Sequence, residues 1–471
     1  MTVTGRVLSC CAGMAVLLAA VSTSARADGG LATAVFDPIA LAGAPALAFQ
    51  RIRTAGATVV RIQVQLGDVA PGGSSMPQGF DASNPADPQY NWSEIDAEVE
   101  GAVSADLEPI LCLAGAPAWA KDTTQSGEVR PSAKWYGRFA HAAAARYSGH
   151  FGVLHRVRYW QAWNEPNLEA NLAPARVNGN LFSPDWYRGM VNAFAHGVKA
   201  VDPTNLVIAG GLAPYAALDG PGIPPLTFMR ALLCVDRVRV RPRPRCLGTT
   251  NFDIWSMQPY TWGGPTHHAT VPGDLALGDL PVMRDLLQQA WQSGRINAPS
   301  QPRFWVTEFS WNTNPPSPGG VAIDLQTRWT AQALYVMWQS GVSLVTWFML
   351  RDQPAPSQWR SGLYFAGSTL ADDVEKPTLK AYRFPQVAFP AEGGIAVWAR
   401  TPTSAPGAVT FEQDTGTGWV PLGTLTADAN GIVSGVLPGV ALGSVRASYE
   451  GETSVPFSLA DVPDQDVNPF G

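Results

Sequence analysis

Between about residues 31 and 385, short apolar runs alternate with helix-length stretches, and this alternation restricts the chain to a parallel α/β architecture. Eight runs read as strands: Ala32–Phe36, Val59–Gln63, Pro109–Leu113, Val157–Ala162, Leu206–Ala209, Ile254–Met257, Phe304–Thr307 and Ser343–Phe348. Eight such units fit a closed (β/α)8 TIM barrel better than an open doubly wound sheet. No Gly-x-Gly-x-x-Gly follows the first strand to cradle a dinucleotide phosphate. Ser183-Pro184 marks the start of a helix that should run to about Val201, and Asp324 opens another that Gly341 closes. In the latter, Trp329, Ala333, Val336 and Met337 recur at helical spacing, which predicts a core-facing stripe.

After Phe384-Pro385 the pattern changes. Alternating runs such as Ile395–Trp398 and Val409–Glu412, with turn clusters at Asp414–Gly418 and Ala429-Asn430-Gly431, predict a small all-β sandwich. The expected organisation is a signal peptide over 1–27, a barrel over 28–390 and a β-sandwich over 391–471. The sandwich carries no paired acids and no cysteines, so it is expected to pack on the barrel as an accessory domain.

The leader rests on Arg6, the apolar stretch from Ala12 to Val21, and Ala25-Arg26-Ala27 before Asp28, an A-x-A cleavage pattern. No later run reaches the length of about 18 apolar residues that a membrane span needs, so a soluble, secreted protein is expected, extracellular or periplasmic. Cleavage leaves Cys112, Cys234 and Cys246. Cys234 and Cys246 bracket a basic segment with no apolar stripe to hold it, which predicts a disulfide there and a buried thiol at Cys112. Hydrophobic residues make up 46% of the chain and charged ones 15%, enough for a large core and too apolar for global disorder. A formal net charge of −6 without a basic face argues against a nucleic-acid partner.

Two carboxylates stand in unusual places. Glu165, in Tyr-Trp-Gln-Ala-Trp-Asn-Glu-Pro-Asn (159–167), follows an apolar strand and precedes a proline that forbids the strand to continue. Glu308, in Phe-Trp-Val-Thr-Glu-Phe-Ser-Trp (304–311), lies among aromatics, where an acid is costly to bury unless it is paired or used. Both belong to the C-terminal ends of strands, four and seven in order, and that rim of a barrel is where active sites are built. Two acids facing each other there suit glycosidic-bond cleavage, in which one protonates the leaving oxygen and the other attacks the anomeric carbon or activates water.

With these motifs the sequence resembles glycoside hydrolase clan A, the retaining (β/α)8-barrel enzymes. Trp-Asn-Glu-Pro-Asn (163–167) is the specific part, and Thr-Glu-Phe (307–309) fits the strand-seven nucleophile. Pro-Ala-Trp-Ala (117–120) and Lys-Pro-Thr-Leu-Lys-Ala-Tyr (376–382) bring it closest in look to family 39, with family 5 as neighbour. The resemblance implies Glu165 as general acid/base, Glu308 as nucleophile, and Asn164 as hydrogen-bond partner of the sugar 2-hydroxyl. It also implies Arg61 as the arginine that keeps the nucleophile ionised and Tyr260 as the tyrosine beside it. Gln258 stands where relatives often carry His, a departure on the side that binds the sugar. An adjacent cation and phenol would favour charged Glu308, whose charge would in turn favour protonated Glu165.

Sugar rings stack their C–H faces on flat aromatics, and Trp119, Trp163, Trp262, Trp311 and Trp347 all lie near strand ends, Trp347 and Trp119 being the expected platform. His267-His268 has no third ligand at metal spacing, so neither metal nor cofactor is expected. The expected partner is an oligosaccharide or polysaccharide, with no membrane partner. Long Pro- and Gly-rich loops at 213–250 and 261–281 favour exo attack, on a pentoside or related glycoside. A non-catalytic carbohydrate-binding barrel of the cell surface and an adhesion protein are the alternatives. The sugar, linkage and oligomeric state are not readable from the sequence.

Overall fold

The computed structural model describes residues 29–122, 129–217, 220–235, 246, 248–354, 357, 359–462 and 464–470. The expected leader over 1–27 and most of the segment between Cys234 and Cys246 lie outside these. Eight parallel strands close a barrel in sequence order: β1 (Ala32–Phe36), β2 (Val59–Gln65), β3 (Glu108–Ala114), β4 (Tyr159–Ala162), β5 (Leu206–Leu212), β6 (Ile254–Met257), β7 (Arg303–Phe309) and β8 (Val342–Phe348), with β8 pairing back to β1. Helices cover the outside, among them α1 (Ala133–Arg146), α2 (Ser183–Val201), α3 (Ile323–Gln339) and α4 (Pro377–Arg383). On α3, Trp329, Ala333 and Met337 are buried and Val336 is packed at the edge of the core. No described helix is long and apolar enough to cross a membrane.

Each strand sends one side chain into an apolar plug at the barrel floor: Ala34, Val59, Ile110, Tyr159, Ile208, Ile254, Trp305 and Leu344. Tyr159 and Trp305 meet edge-to-face there, with ring centroids 4.9 Å apart. Side chains alternate along a strand, so the next inward residues, two positions further on, form a second layer above the plug. That layer is mostly polar: Arg61, Cys112, Gln161, Ser256 and Thr346 are all fully buried, and Phe36 belongs to it from β1.

The β region starts at Gln386. One antiparallel sheet joins β9 (Gln386–Ala391), β10 (Gly394–Arg400) and β13 (Ile432–Leu437), and a second joins β11 (Gly407–Asp414), β12 (Trp419–Ala427), β14 (Ser444–Tyr449) and two short strands. This region is welded to the barrel. Trp398 on β10 packs between Tyr335 and Trp338 of α3, at 5.4 and 5.6 Å between centroids. Fully buried Arg400 donates to the Leu31, Tyr382 and Arg383 carbonyls and to the Thr33 hydroxyl. Trp398→Ala is therefore expected to cost about 3–5 kcal/mol and to lower the melting of barrel and sandwich together. Separate transitions for the two in a calorimetric scan would show that they are not coupled through this contact.

Cys234 and Cys246 are joined by a disulfide, and Cys112 is a buried thiol. Beyond the sandwich, residues 464–470 return to the C-terminal mouth of the barrel, where the Asn312 N–H donates to the Pro469 carbonyl (2.8 Å) and the Gly263 N–H to that of Val467 (3.0 Å). Composition gave no sign of this return.

Candidate active site

Glu308 reaches the barrel interior through a bulge. With Trp305 in the plug, strict alternation would turn Thr307 and Phe309 inward and Glu308 outward, into the apolar layer under the helices. On the β8 side, however, Val306 pairs with Val345 and Phe309 with Trp347, so β7 carries one extra residue. Phe309 thereby joins Trp347 outside, and the slot opposite Thr346 is shared by Thr307 and Glu308. Bulges beside functional sites commonly re-aim a side chain in this way.

Three donors converge on the Glu308 carboxylate. Arg61 Nη1 donates to Oε1 at 2.7 Å, Gln258 Nε2 to Oε1 at 3.1 Å and the Tyr260 hydroxyl to Oε2 at 3.1 Å. Burial pushes this carboxyl above its ordinary value, and Arg61, Tyr260 and Gln258 oppose that shift. Burial also raises Tyr260 far above the usual phenol range, reinforced by the charges of Glu308 and then Glu165, so Tyr260 acts as a neutral donor. The same phenol thus feels both carboxylates.

Arg61 is the hub of the site. Its Nε donates to Gln161 Oε1 (3.0 Å), and its Nη2 to Asn164 Oδ1 (2.9 Å) and Cys112 Sγ (3.2 Å). Burial works against its charge, but its contacts with the Cys112 sulfur and the Glu308 carboxylate hold the guanidinium above its ordinary value, Glu308 being the partner that carries charge. Burial likewise raises the Cys112 thiol, against the pull of Arg61, keeping it protonated. Gln258 Nε2 donates to Asn164 Oδ1 as well (2.8 Å). With two donors on its oxygen, the Asn164 amide is oriented so that its NH2 remains available to an incoming hydroxyl.

Glu165 is aimed by its backbone. Trp163 (φ 71°) and Glu165 (φ 46°) both occupy the left-handed region, a cost of about 1 kcal/mol or more each that the surroundings must offset. The Glu165 N–H donates to the Gly211 carbonyl (3.0 Å), and Asn171 Nδ2 donates to Glu165 Oε2 (3.2 Å). Asn167, fully buried, braces the loop by donating to the Ala213 and Ile223 carbonyls and accepting the Ala213 N–H. Gly211 sits at φ +59°, and a Cβ there would lie 2.9 Å from Gln161 Nε2. Gly211→Ala should therefore cost about 1–2 kcal/mol and push Gln161 against Arg61. A lower denaturation midpoint together with reduced kcat/KM is the expected reading.

The structure gathers Arg61, Asn164, Glu165, Gln258, Tyr260 and Glu308 at the mouth and leaves Trp119 and Trp347 out of that network. Trp347 is 1% exposed and turned outward between Phe309 and Tyr382, because Leu344, Thr346 and Phe348 take the inward positions of β8. Trp119 packs with Phe80, Trp135 and Phe139, its Nε1 donating to the Pro71 carbonyl. Trp163 packs on Tyr136 and Trp311 on Trp329, whereas Trp262 is exposed on the loop after β6. The aromatic floor at the mouth is instead Phe36, Tyr260 and Phe348 with Met349, against which Trp359 and Phe470 pack. Gln161 and Asn171 were also not singled out by sequence, and Cys112 was expected only as a buried thiol. Gln161 lies inside the quoted motif, and a polar residue on an inward position of a barrel strand was the available signal. Among the described residues, no group of three or more His, Cys, Asp or Glu is placed to hold a metal ion.

No family model matches the chain, and no curated protein is significantly similar to it. Solved structures are. A family 39 glycoside hydrolase from Bacteroides cellulosilyticus WH2 aligns with a TM-score of 0.52 at 16% identity, over 92% of this chain and 80% of that one. The family 39 enzyme from Xanthomonas axonopodis pv. citri aligns with a TM-score of 0.51 at 16% identity, over 88% of this chain and 93% of that one. The fold is that of family 39 glycoside hydrolases. At this identity the likeness concerns architecture, so the chemistry of this family 39-like barrel is argued from its own side chains.

Proposed function

We propose that this protein is an exported retaining glycoside hydrolase that works by double displacement. Glu308 attacks the anomeric carbon while Glu165 protonates the leaving oxygen, and Glu165 then deprotonates the water that releases the sugar. The observation that carries this reading is the buried Glu308 carboxylate, held by one cation and two neutral donors, one of them a phenol that also feels Glu165. Donors fixed on the oxygens keep a nucleophile in line without covering the lone pair that attacks. Glu165, which accepts a hydrogen bond from the Asn171 amide, gains and loses a proton within one cycle in this reading. Asn164 offers its amide NH2 to the sugar 2-hydroxyl.

The preferred substrate in this reading is a neutral pentoside or related glycoside cut from a chain end. The family 39 fold and the Pro- and Gly-rich composition of the segments 213–250 and 261–281 support it. The leader pattern and the Cys234–Cys246 disulfide support export. Incubating the protein, freed of residues 1–27, with a panel of nitrophenyl glycosides and polysaccharides tests the proposal. Release of nitrophenol from at least one pentoside is expected. Saturable sugar binding with no turnover across the panel would replace the enzyme with a non-catalytic carbohydrate-binding barrel.

A further inference from the structure

The segment after the sandwich is bound to the mouth of the barrel by the loops that follow β6 and β7. Asp464 Oδ1 accepts the Gly264 N–H (2.6 Å) and its Oδ2 pairs with His267 Nδ1 (2.7 Å). Gly263 makes room for this seat, since at φ +105° a Cβ would lie 3.0 Å from Asp464 Oδ1 and 3.1 Å from the Gln465 carbonyl. Further on, Asn312 clamps the chain twice, its N–H on the Pro469 carbonyl and its Nδ2 on that of Phe470, both at 2.8 Å. The same side chain accepts the Arg360 N–H through Oδ1 at 2.8 Å, fixing the loop that carries Trp359. Asn312 is buried, so both neighbours are set by one rigid residue.

The result is a ring of aromatic side chains around the nucleophile's phenol. Phe470 lies 5.0 Å from the Tyr260 ring and 5.8 Å from Trp359, and Trp359 lies 5.2 Å from Phe348. Tyr260 touches Glu308, so Phe470 stands one ring away from the reacting centre, and it remains partly exposed. Phe36, Phe348, Met349 and Phe470 offer neither a donor nor a cation.

We propose that Phe470, delivered by segment 464–470, is a specificity-determining residue that completes the wall of the sugar pocket. The proposal rests on the glycosidase reading above. The wall takes the apolar face of a neutral glycone with a small or absent C5 substituent, a pentopyranoside or 6-deoxyhexoside. A uronide would have to set its carboxylate against Phe36, Phe348, Met349 and Phe470, which cannot hydrogen-bond it, with the Tyr260 hydroxyl already given to Glu308 and the Trp359 indole N–H left as a neutral donor. That costs more than the stacking gains.

The test compares the full chain with Phe470→Ala, Phe470→Tyr and Asp464→Ala, the last loosening the segment at an exposed position. Kinetics on nitrophenyl xyloside and glucuronide are paired with xylose titration followed by tryptophan fluorescence. Phe470→Ala should raise KM for the xyloside about tenfold while kcat changes much less, as loss of one stacking contact does. Phe470→Tyr should restore KM, and Asp464→Ala should raise it partway. Unchanged KM and kcat in an active Phe470→Ala protein would overturn the proposal and leave the glycosidase reading intact. Turnover of the glucuronide ahead of the xyloside would overturn the substrate class. Xylose binding that is lost in Phe470→Ala, in a chain that hydrolyses nothing, would support the wall and sink the enzyme. Neither binding nor turnover in the unmodified chain would overturn both.

Discussion

Glu308→Ala is expected to lower kcat by at least about 10⁴-fold on every glycoside, because in the proposed mechanism its carboxylate is the group that attacks the anomeric carbon. Glu165→Ala should behave differently. A dinitrophenyl glycoside needs no proton on its leaving group, so that variant should still form the glycosyl-enzyme, seen as a burst of dinitrophenol followed by slow turnover. Glu308→Ala should give no burst. In a retaining site the carboxylates stand about 5–5.5 Å apart, with no room for water between nucleophile and sugar. Proton NMR of the first sugar released should accordingly show the starting anomeric configuration. An inverted product, or equal dependence of both variants on leaving-group acidity, would undo the assignment of roles.

The second large effect belongs to Arg61→Met. This change removes the cation from Glu308 and strips a partner from Asn164, Gln161 and Cys112, leaving a buried carboxylate with two neutral donors. Breaking a buried pair from one side costs about 3–5 kcal/mol. The sign of the pH dependence follows from the cause. Burial already raises Glu308 above its ordinary 4.5 and Arg61 opposes it, so its loss must raise the carboxyl further. A carboxyl raised in the folded state leaves stability intact below the unfolded value and withdraws it as pH climbs through the folded one. The penalty of Arg61→Met should thus be smallest near pH ~4 and grow toward pH ~8, while the acidic limb of kcat/KM moves to higher pH. Thermal melts and rate profiles across that range would expose a flat difference, the outcome incompatible with a charge-pairing role.

The barrel was legible because each strand is a short apolar run bounded by turns, and such runs cannot pack as anything but buried parallel strands when helices separate them. Asn164 and Glu165 were legible for a related reason, since a strand cannot run through Pro166 and the preceding polar pair therefore belongs to the rim; the strand itself stops earlier, at Ala162, where Trp163 turns at φ 71°. The direction of Glu308 was not. Counting from Trp305 sends it outward, and only the pairing of Phe309 with Trp347 reveals the extra residue that turns it in. One-residue ambiguity also explains the platform. In Trp347-Phe348 the larger ring is the natural choice, yet parity with Leu344 and Thr346 gives the mouth to Phe348. Segment 464–470 has neither helical nor strand periodicity, and its seat depends on Asn312, 158 residues away from Phe470 in sequence.

The apolar plug has a bearing on traffic. Tyr159, Trp305 and their neighbours seal the floor beneath the polar layer, so the cavity of about 440 Å³ under them, bordered by Glu108 and Arg303, does not feed the carboxylates. Under the proposed mechanism, substrate, hydrolytic water and both products would then pass through the C-terminal mouth and not through this cavity. In a double displacement the first product must back out before water can come in, and any alcohol waiting outside enters by the same route. A barrel stoppered at its base is in this sense a queue, in which a crowded solution of sugar acceptors should divert the covalent intermediate from hydrolysis to transfer.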